Sequence, residues 1–313
     1  MGANRFDART RVIEAALTAA RRAGKPHDEA VILTELGQLR YDQDRYTEAR
    51  QHFRASLSLF RELNDQPGQA AALAGLGIAC REPGRFAEGV HFLDQAAALL
   101  EQAGDDIGIG YSRRIAGSVR LELGDYPGAL ADLTASLAAY RRAGSRLGEG
   151  HTLRTLGLYH RARDEWADAE RHCRESADIF HELGDELMEA YAVRAHAKTR
   201  LRQGHADEAL TRLEWALSVS HTMGDRWGQG ATLRALGQLH LAEQRLDLAE
   251  ACLDAARDIW QAMEVPVWQA RIERDRSLLL AARGDAEGAR TARERARRVF
   301  HDHGAREFHE LGS

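Results

Sequence analysis

Proline is scarce in this sequence, with five in 313 residues, and so are aromatic residues, at 6%. The three cysteines, Cys80, Cys173 and Cys252, are far apart and odd in number. That excludes a disulfide framework and any zinc-binding spacing, and it fits a reducing cytoplasm. No apolar run is long enough to span a bilayer. The opening "MGANRFDART" lacks the apolar centre of a signal peptide and has Phe6 where myristoylation needs Ser or Thr. A net charge of −5 argues against a general electrostatic grip on nucleic acid. No phosphate loop, nucleophile elbow or metalloprotease motif occurs, so neither an enzyme nor a cofactor nor a metal is expected. The acidic stretch "RDEWADAERH" (Asp164, Glu165, Asp168, Glu170, His172) reads as a solvated helix face, and His301 and His303 as part of an exposed tail. Lysine is almost missing: of 43 basic residues only Lys25 and Lys198 are lysines, and the other 41 are arginines. Such a bias has the look of a high-GC genome, so a single arginine carries little information.

What is present is a repeat. Stepping by 40 from Leu36-Gly37 gives Leu76-Gly77, Ala116-Gly117, Leu156-Gly157, His196-Ala197, Leu236-Gly237 and Arg276-Ser277. Other columns hold the same phase without insertion: Ala49, Gly89, Ala129, Ala169, Ala209, Ala249, Ala289, and Gly24, Asn64, Gly104, Gly144, Gly184, Gly224, Glu264, Gly304. Hydrophobic periodicity divides each unit into a helix A (residues 28–43 in the first) and a helix B (46–62). Asp65, Asp105, Ser145, Asp185 and Asp225 stand where N-caps are needed. Pro26, Pro67 and Pro266 fall in the turn between units, and Pro83 and Pro127 in the turn within a unit, none mid-helix. The small residues at the Leu-Gly position let helices approach closely, and Cys173 occupies a column of Phe53, Leu93, Leu133, Leu213 and Leu253, a core position. Residues 9–23 fit the helix B template, with Ile13, Ala16 and Ala20 in its apolar columns.

A Leu-Gly pair followed by an aromatic-x-x-Ala turn and a "GD-x-x-G-x-A" linker resembles the tetratricopeptide repeat in its 40-residue variant. The resemblance implies an all-α fold, a right-handed superhelix (an α-solenoid) of about seven helix-turn-helix units preceded by a half-repeat, with helix A lining the concave face. The expected organisation is a half-repeat at 1–27, the array at 28–303 and a C-terminal tail at 304–313. A start in mid-repeat and an end without a polar capping helix suggest a piece of a larger protein, since solenoids usually cap both ends; a natural half-repeat cap is the alternative.

One column is not explained by packing. Two positions before the Leu of each Leu-Gly pair stand Thr34, Ala74, then Arg114, Arg154, Arg194, Arg234 and Arg274. In the family resembled, this position faces the groove. Tyr111, His151, Tyr191 and Arg271 lie one turn earlier on that face, and Ser118, Lys198 and Gln238 one turn later. Two readings stand. The guanidinium fork suits carboxylates and phosphates, so the stripe could hold an acidic or extended partner segment. Equally, each Arg could pair internally, with Glu149, Glu189 or Asp275, or stack on Tyr111 or Tyr191. The asparagine ladder of animal adaptors with long repeats is absent, the position reading Glu35, Gly75, Ile115, Thr155, Ala195, Ala235, Asp275. The chaperone-type carboxylate clamp is not met either.

The expected function is binding of a protein or peptide segment, or of other domains of a parent protein, without direct nucleic-acid or membrane contact. Repeat style and composition resemble the C-terminal sensor domains of actinobacterial transcriptional regulators, which implies a role in control of secondary metabolism. A peptide-pheromone receptor and a stand-alone assembly adaptor are the rivals.

Overall fold

The computed structural model describes residues 2–81 and 84–311. The described residues form sixteen helices. A lone α1 (Gly2–Arg22) comes first. Seven A/B pairs follow: α2 (Pro26–Asp42) with α3 (Tyr46–Glu62), α4 (Gln66–Arg81) with α5 (Phe86–Ala103), α6 (Asp106–Leu123) with α7 (Tyr126–Arg142), α8 (Arg146–Ala162) with α9 (Trp166–Glu182), α10 (Glu186–Arg202) with α11 (Ala206–Thr222), α12 (Arg226–Ala242) with α13 (Leu246–Ala262), and α14 (Pro266–Ala282) with α15 (Ala286–Asp302). A short α16 (Glu307–Leu311) closes the chain.

Every turn is built alike. The residue at the Gly24 column has φ between 53° and 69° in all eight occurrences, and the Asp44 column has φ between 57° and 86° in all seven. The next residue donates its N–H back across the turn, as Asp65 does to the Phe60 carbonyl at 3.0 Å and Ser145 to Tyr140 at 2.9 Å, so helix-end carbonyls stay satisfied. A left-handed residue costs ~1–2 kcal/mol when it carries a side chain, and ten of these fifteen positions are glycine. The expected caps form: Asp105, Ser145, Asp185 and Asp225 accept from the N–H three residues on, and Asp65 accepts from Gly68 at 3.0 Å. Pro26, Pro67, Pro127 and Pro266 sit at the first or second helical residue and not in the turn proper, where an amide hydrogen would lack an intrahelical partner anyway. Pro83 lies outside the described residues.

Within a unit the two helices touch at the Leu-Gly column. A methyl group on Gly37 would stand 2.8 Å from Phe53, and one on Gly237 2.9 Å from Leu253. A second tie runs beside it: Ser56, Ser136 and Ser176 of helix B donate to the Ala30, Gly110 and Gly150 carbonyls of helix A at 2.7–2.8 Å. This explains one departure from expectation. In α1, Ile13 and Ala20 are buried but Ala16 is exposed, and Leu17 is buried instead, packed with Ile13 on Leu33, Leu36 and Leu39. Ala16 stands in the Ser56 column, whose contact is the helix A of its own unit, and α1 has no such partner among the described residues.

Each helix A packs its backbone against the next helix A, whereas the backbones of the described B helices approach only A helices and, for α15, α16. The A helices therefore form the inner wall of the superhelix. The superhelix also laps over itself. Tyr41 and Tyr46 of the first unit join the cluster of Trp260, Met263 and Val265. Phe86 and Ile115 share a cluster with Val267, Phe300 and Ala305. The tail expected at 304–313 is instead part of this joint. Ala305 and Glu307 are buried, the Arg306 N–H donates to the Glu122 carbonyl at 2.9 Å, and its guanidinium donates to the Leu121 carbonyl at 2.8 Å. Of the two histidines expected there, His301 is exposed and His303 half-buried.

Candidate partner-binding channel

The A helices bring the predicted arginines onto the inner wall and divide them into two groups. Upstream, side chains from neighbouring A helices interleave with aromatic rings. Arg114 lies 5.5 Å from the Tyr111 ring centroid, and its charge acts on the buried Tyr140 phenol. Arg154 and Arg194 both lie over the Tyr191 ring, 5.7 and 4.3 Å from its centroid. Tyr191 in turn lies beside the N-cap carboxylate of Asp225, and burial first, then the Asp225 charge, raises its phenol pKa. His151 packs edge-on against Phe180 at 5.0 Å. Burial, and then Arg114 and Arg154, push its imidazole down to about 3, so it is neutral at physiological pH.

Downstream, charge pairing takes over. Arg234 donates to Asp275 through Nε at 2.6 Å and Nη2 at 3.4 Å, with both side chains buried. Gln238 donates to the same carboxylate at 2.8 Å, and Arg274 lies 3.4 Å from Asp275 and 3.6 Å from Glu310. Burial raises the Asp275 carboxyl, but Arg234 and Arg274 outweigh it and hold it below its ordinary value. Arg271 is the lap joint's centre. It is buried, stacks 4.5 Å from the Trp268 ring centroid, and pairs with Glu307 at 2.6 Å and with Glu122 from the third unit. Burial opposes the Glu307 charge, yet Arg271 and Arg306 bring its carboxyl to about 2.

Between the groups lie cations on which carboxylate charge acts only from beyond ion-pair distance, Asp225 on Arg194 and Asp275 on Lys198. Among the described residues, Arg161, Arg194 and Lys198 make no ion pair. Arg161 reaches from α8 to the Ala195 carbonyl of α10 at 3.4 Å. Arg194 reaches from α10 toward α12, to the Gly228 carbonyl at 3.5 Å and Thr232 at 3.4 Å. Lys198 follows Arg194 by one helical turn; it is half-buried, and its ammonium makes no hydrogen bond among the described residues. Burial first, then Arg161 and Arg234, push the Lys198 ammonium well below its ordinary value. Burial likewise lowers Arg161, to about 10. Periodicity does not mark Arg161, whose column reads Tyr41, Arg81, Leu121, Arg161, Leu201, Leu241, Ala281.

The described residues hold no group of three or more His, Cys, Asp or Glu side chains placed to bind a metal ion. No described helix is long and apolar enough to cross a membrane.

Family models of the tetratricopeptide repeat match residues 28–102 and 150–183. A Rap protein complexed with competence and sporulation factor superposes with a TM-score of 0.75 at 14% identity, over 89% of this chain and 76% of that one. The Rap conjugation gene regulator of plasmid pLS20, in complex with the Phr* peptide, gives 0.68 at 16% identity, over 88% and 76%. A signal-transduction ATPase with numerous domains and a tetratricopeptide-repeat sensor, from Pyrococcus horikoshii, gives 0.57 at 13% identity, over 93% of this chain and 46% of that one. No curated protein matches by sequence. The chain carries tetratricopeptide repeats, and its fold is that of a right-handed α-solenoid, as the 40-residue lattice implies. That fold is a protein-binding one, and its structural neighbours include peptide-bound regulators and a sensor within a larger signalling ATPase.

Proposed function

We propose that this chain is a binding module, not an enzyme, and serves as the cytoplasmic sensor part of a bacterial regulatory protein. It holds an acidic, extended protein or peptide segment in the channel lined by its A helices. The observation that carries this reading is the imbalance on the inner wall. Downstream arginines are answered by Asp275, Glu307 and Glu122, while Arg161, Arg194 and Lys198 make no ion pair among the described residues, and Asp225 and Asp275 act on the last two only from beyond ion-pair distance. Buried like charges are costly unless something opposite meets them, and an acidic segment supplies it. Other domains of a parent protein could present that segment, as the sensor-bearing ATPase architecture suggests. The finer assignment, control of secondary metabolism by a transcriptional regulator, rests on repeat style and arginine-rich composition.

The test is a set of extended peptides of equal length, acidic, neutral and basic, titrated by fluorescence anisotropy at low and high salt. Acidic peptides should bind best and weaken with salt, because exposed charge attraction is screened over about 10 Å at 0.1 M. The Arg154→Ala/Arg194→Ala/Lys198→Ala variant should lose that preference with its helical circular dichroism intact. Arg234 is left in place, since removing it strands Asp275. Equal binding of all three peptides, or unchanged binding by the variant, would overturn the proposal.

A further inference from the structure

The three unanswered cations converge from two helices onto one stretch of the wall. Arg161 crosses from α8 to the Ala195 carbonyl, which lies between Arg194 and Lys198 in the α10 sequence. Arg194 leans the other way, toward Thr232 of α12. Arg234 forms the far side, already neutralised by Asp275. Two guanidinium groups, each presenting several N–H donors, thus lie near enough for their charges to act on an ammonium with three donors of its own. The hydrogen bonds they make within the protein are long, 3.4–3.5 Å, and go only to carbonyls and a hydroxyl. Strong donors aimed into a half-buried channel and bonded only weakly are the arrangement that charge-assisted bonds to an oxyanion would complete.

We propose that Arg161, Arg194 and Lys198 form a seat for one compact oxyanion group, a phosphate or a carboxylate, carried by the ligand in the channel. The proposal rests on the channel being a binding site and adds where its ligand is anchored and by what chemistry. The guanidinium planes grip two oxygens side by side, and the Lys198 ammonium meets the third oxygen of a phosphate or the second edge of a carboxylate. An oxyanion in the seat favours the charged form of Lys198, opposing the burial that lowers its ammonium.

The composition makes the test selective, because Lys25 and Lys198 are the only lysines and Lys25 is exposed on the surface. The full chain is acylated with an uncharged reagent at pH 8, with inorganic phosphate, succinate or sodium chloride present at matched ionic strength. Modification of each lysine is followed by peptide mass spectrometry. Phosphate or succinate should slow acylation of Lys198 several-fold and leave Lys25 unchanged; which of the two protects better identifies the oxyanion. Arg161→Gln and Arg194→Gln should each weaken that protection by about tenfold in the concentration required, the scale of one charge-assisted contact. Protection equal to that by chloride, or equal at both lysines, overturns the seat. If acidic peptides still bind while neither anion protects Lys198, the seat alone is wrong. If no peptide binds either, the channel reading fails with it.

Discussion

Replacing Asp275 by Asn keeps the side chain's size and removes its charge. Asp275 is 2% exposed and Arg234 5% exposed, so the substitution leaves a guanidinium out of water with no counter-ion. Arg274 and Arg271 lie close enough to add repulsion, and Lys198 shares the same carboxylate field. The amide also turns a donor toward groups that all donate: Arg234, Arg274 and Gln238. Breaking a buried pair by removing one partner costs about 3–5 kcal/mol, a large share of a total stability of roughly 5–15 kcal/mol. The assay is urea unfolding followed by circular dichroism. Hydrogen exchange should locate the loss in α12 and α14, because repeats in a solenoid depend on their neighbours. Arg234→Met with Asp275→Leu should recover most of the loss, since well-packed apolar groups replace buried ion pairs at little cost. A loss below about 1 kcal/mol, the range of a solvent-screened surface pair, would refute the reasoning and mean that the channel is wet around Asp275. The pH dependence has a definite sign. With the folded carboxyl below its ordinary value, the stabilisation is complete above about pH 4 and fades only as pH falls through the lowered value.

A methyl group on Gly157 would run into Cys173 Sγ and lie 3.3 Å from the Ala169 carbonyl. Gly157→Ala should therefore lose about 1–2 kcal/mol by overpacking, despite a helix-propensity gain of about 1 kcal/mol; adding Cys173→Ala should recover much of it in a double-mutant cycle. His151, brought down to about 3 in the fold, takes its proton in the unfolded chain near pH 6.5. Its contribution is present above that pH and is lost progressively as pH falls toward 3, so the fall in melting temperature between pH 7 and pH 5 should be smaller in His151→Gln than in the parent. At the lap joint, Arg271→Met leaves Glu307 buried without its main partner. Amide protection of α16 should then collapse while that of α2 and α3 stays, measured by hydrogen exchange; unchanged protection of α16 would show that Arg271 does not hold the joint.

The lattice was legible because repeat packing is local. A helix A meets its helix B within about twenty residues, so the Leu-Gly column, its facing Phe53 or Leu253, and the cap at Asp225 all recur in phase. Backbone geometry is even more regular than the residues suggest: Asn64 and Glu264 break the glycine column yet keep its left-handed φ, because the turn is fixed by the helices it joins. The Arg column was legible as a column, and Asp275 was among its foreseeable partners, since they sit on adjacent units. The pairing of Arg271 with Glu122 was not foreseeable, because it spans 149 residues and exists only where the superhelix meets itself. Arg161 was missed for a related reason. A residue that acts by crossing to the next helix needs no repeat of its own kind in other units, and periodicity is blind to it. The columns therefore report what every unit must do, which is pack. The side chains that break the columns, Arg161, Lys198 and Asp275, report what only one part of this solenoid does, and the unbalanced charge lies among them.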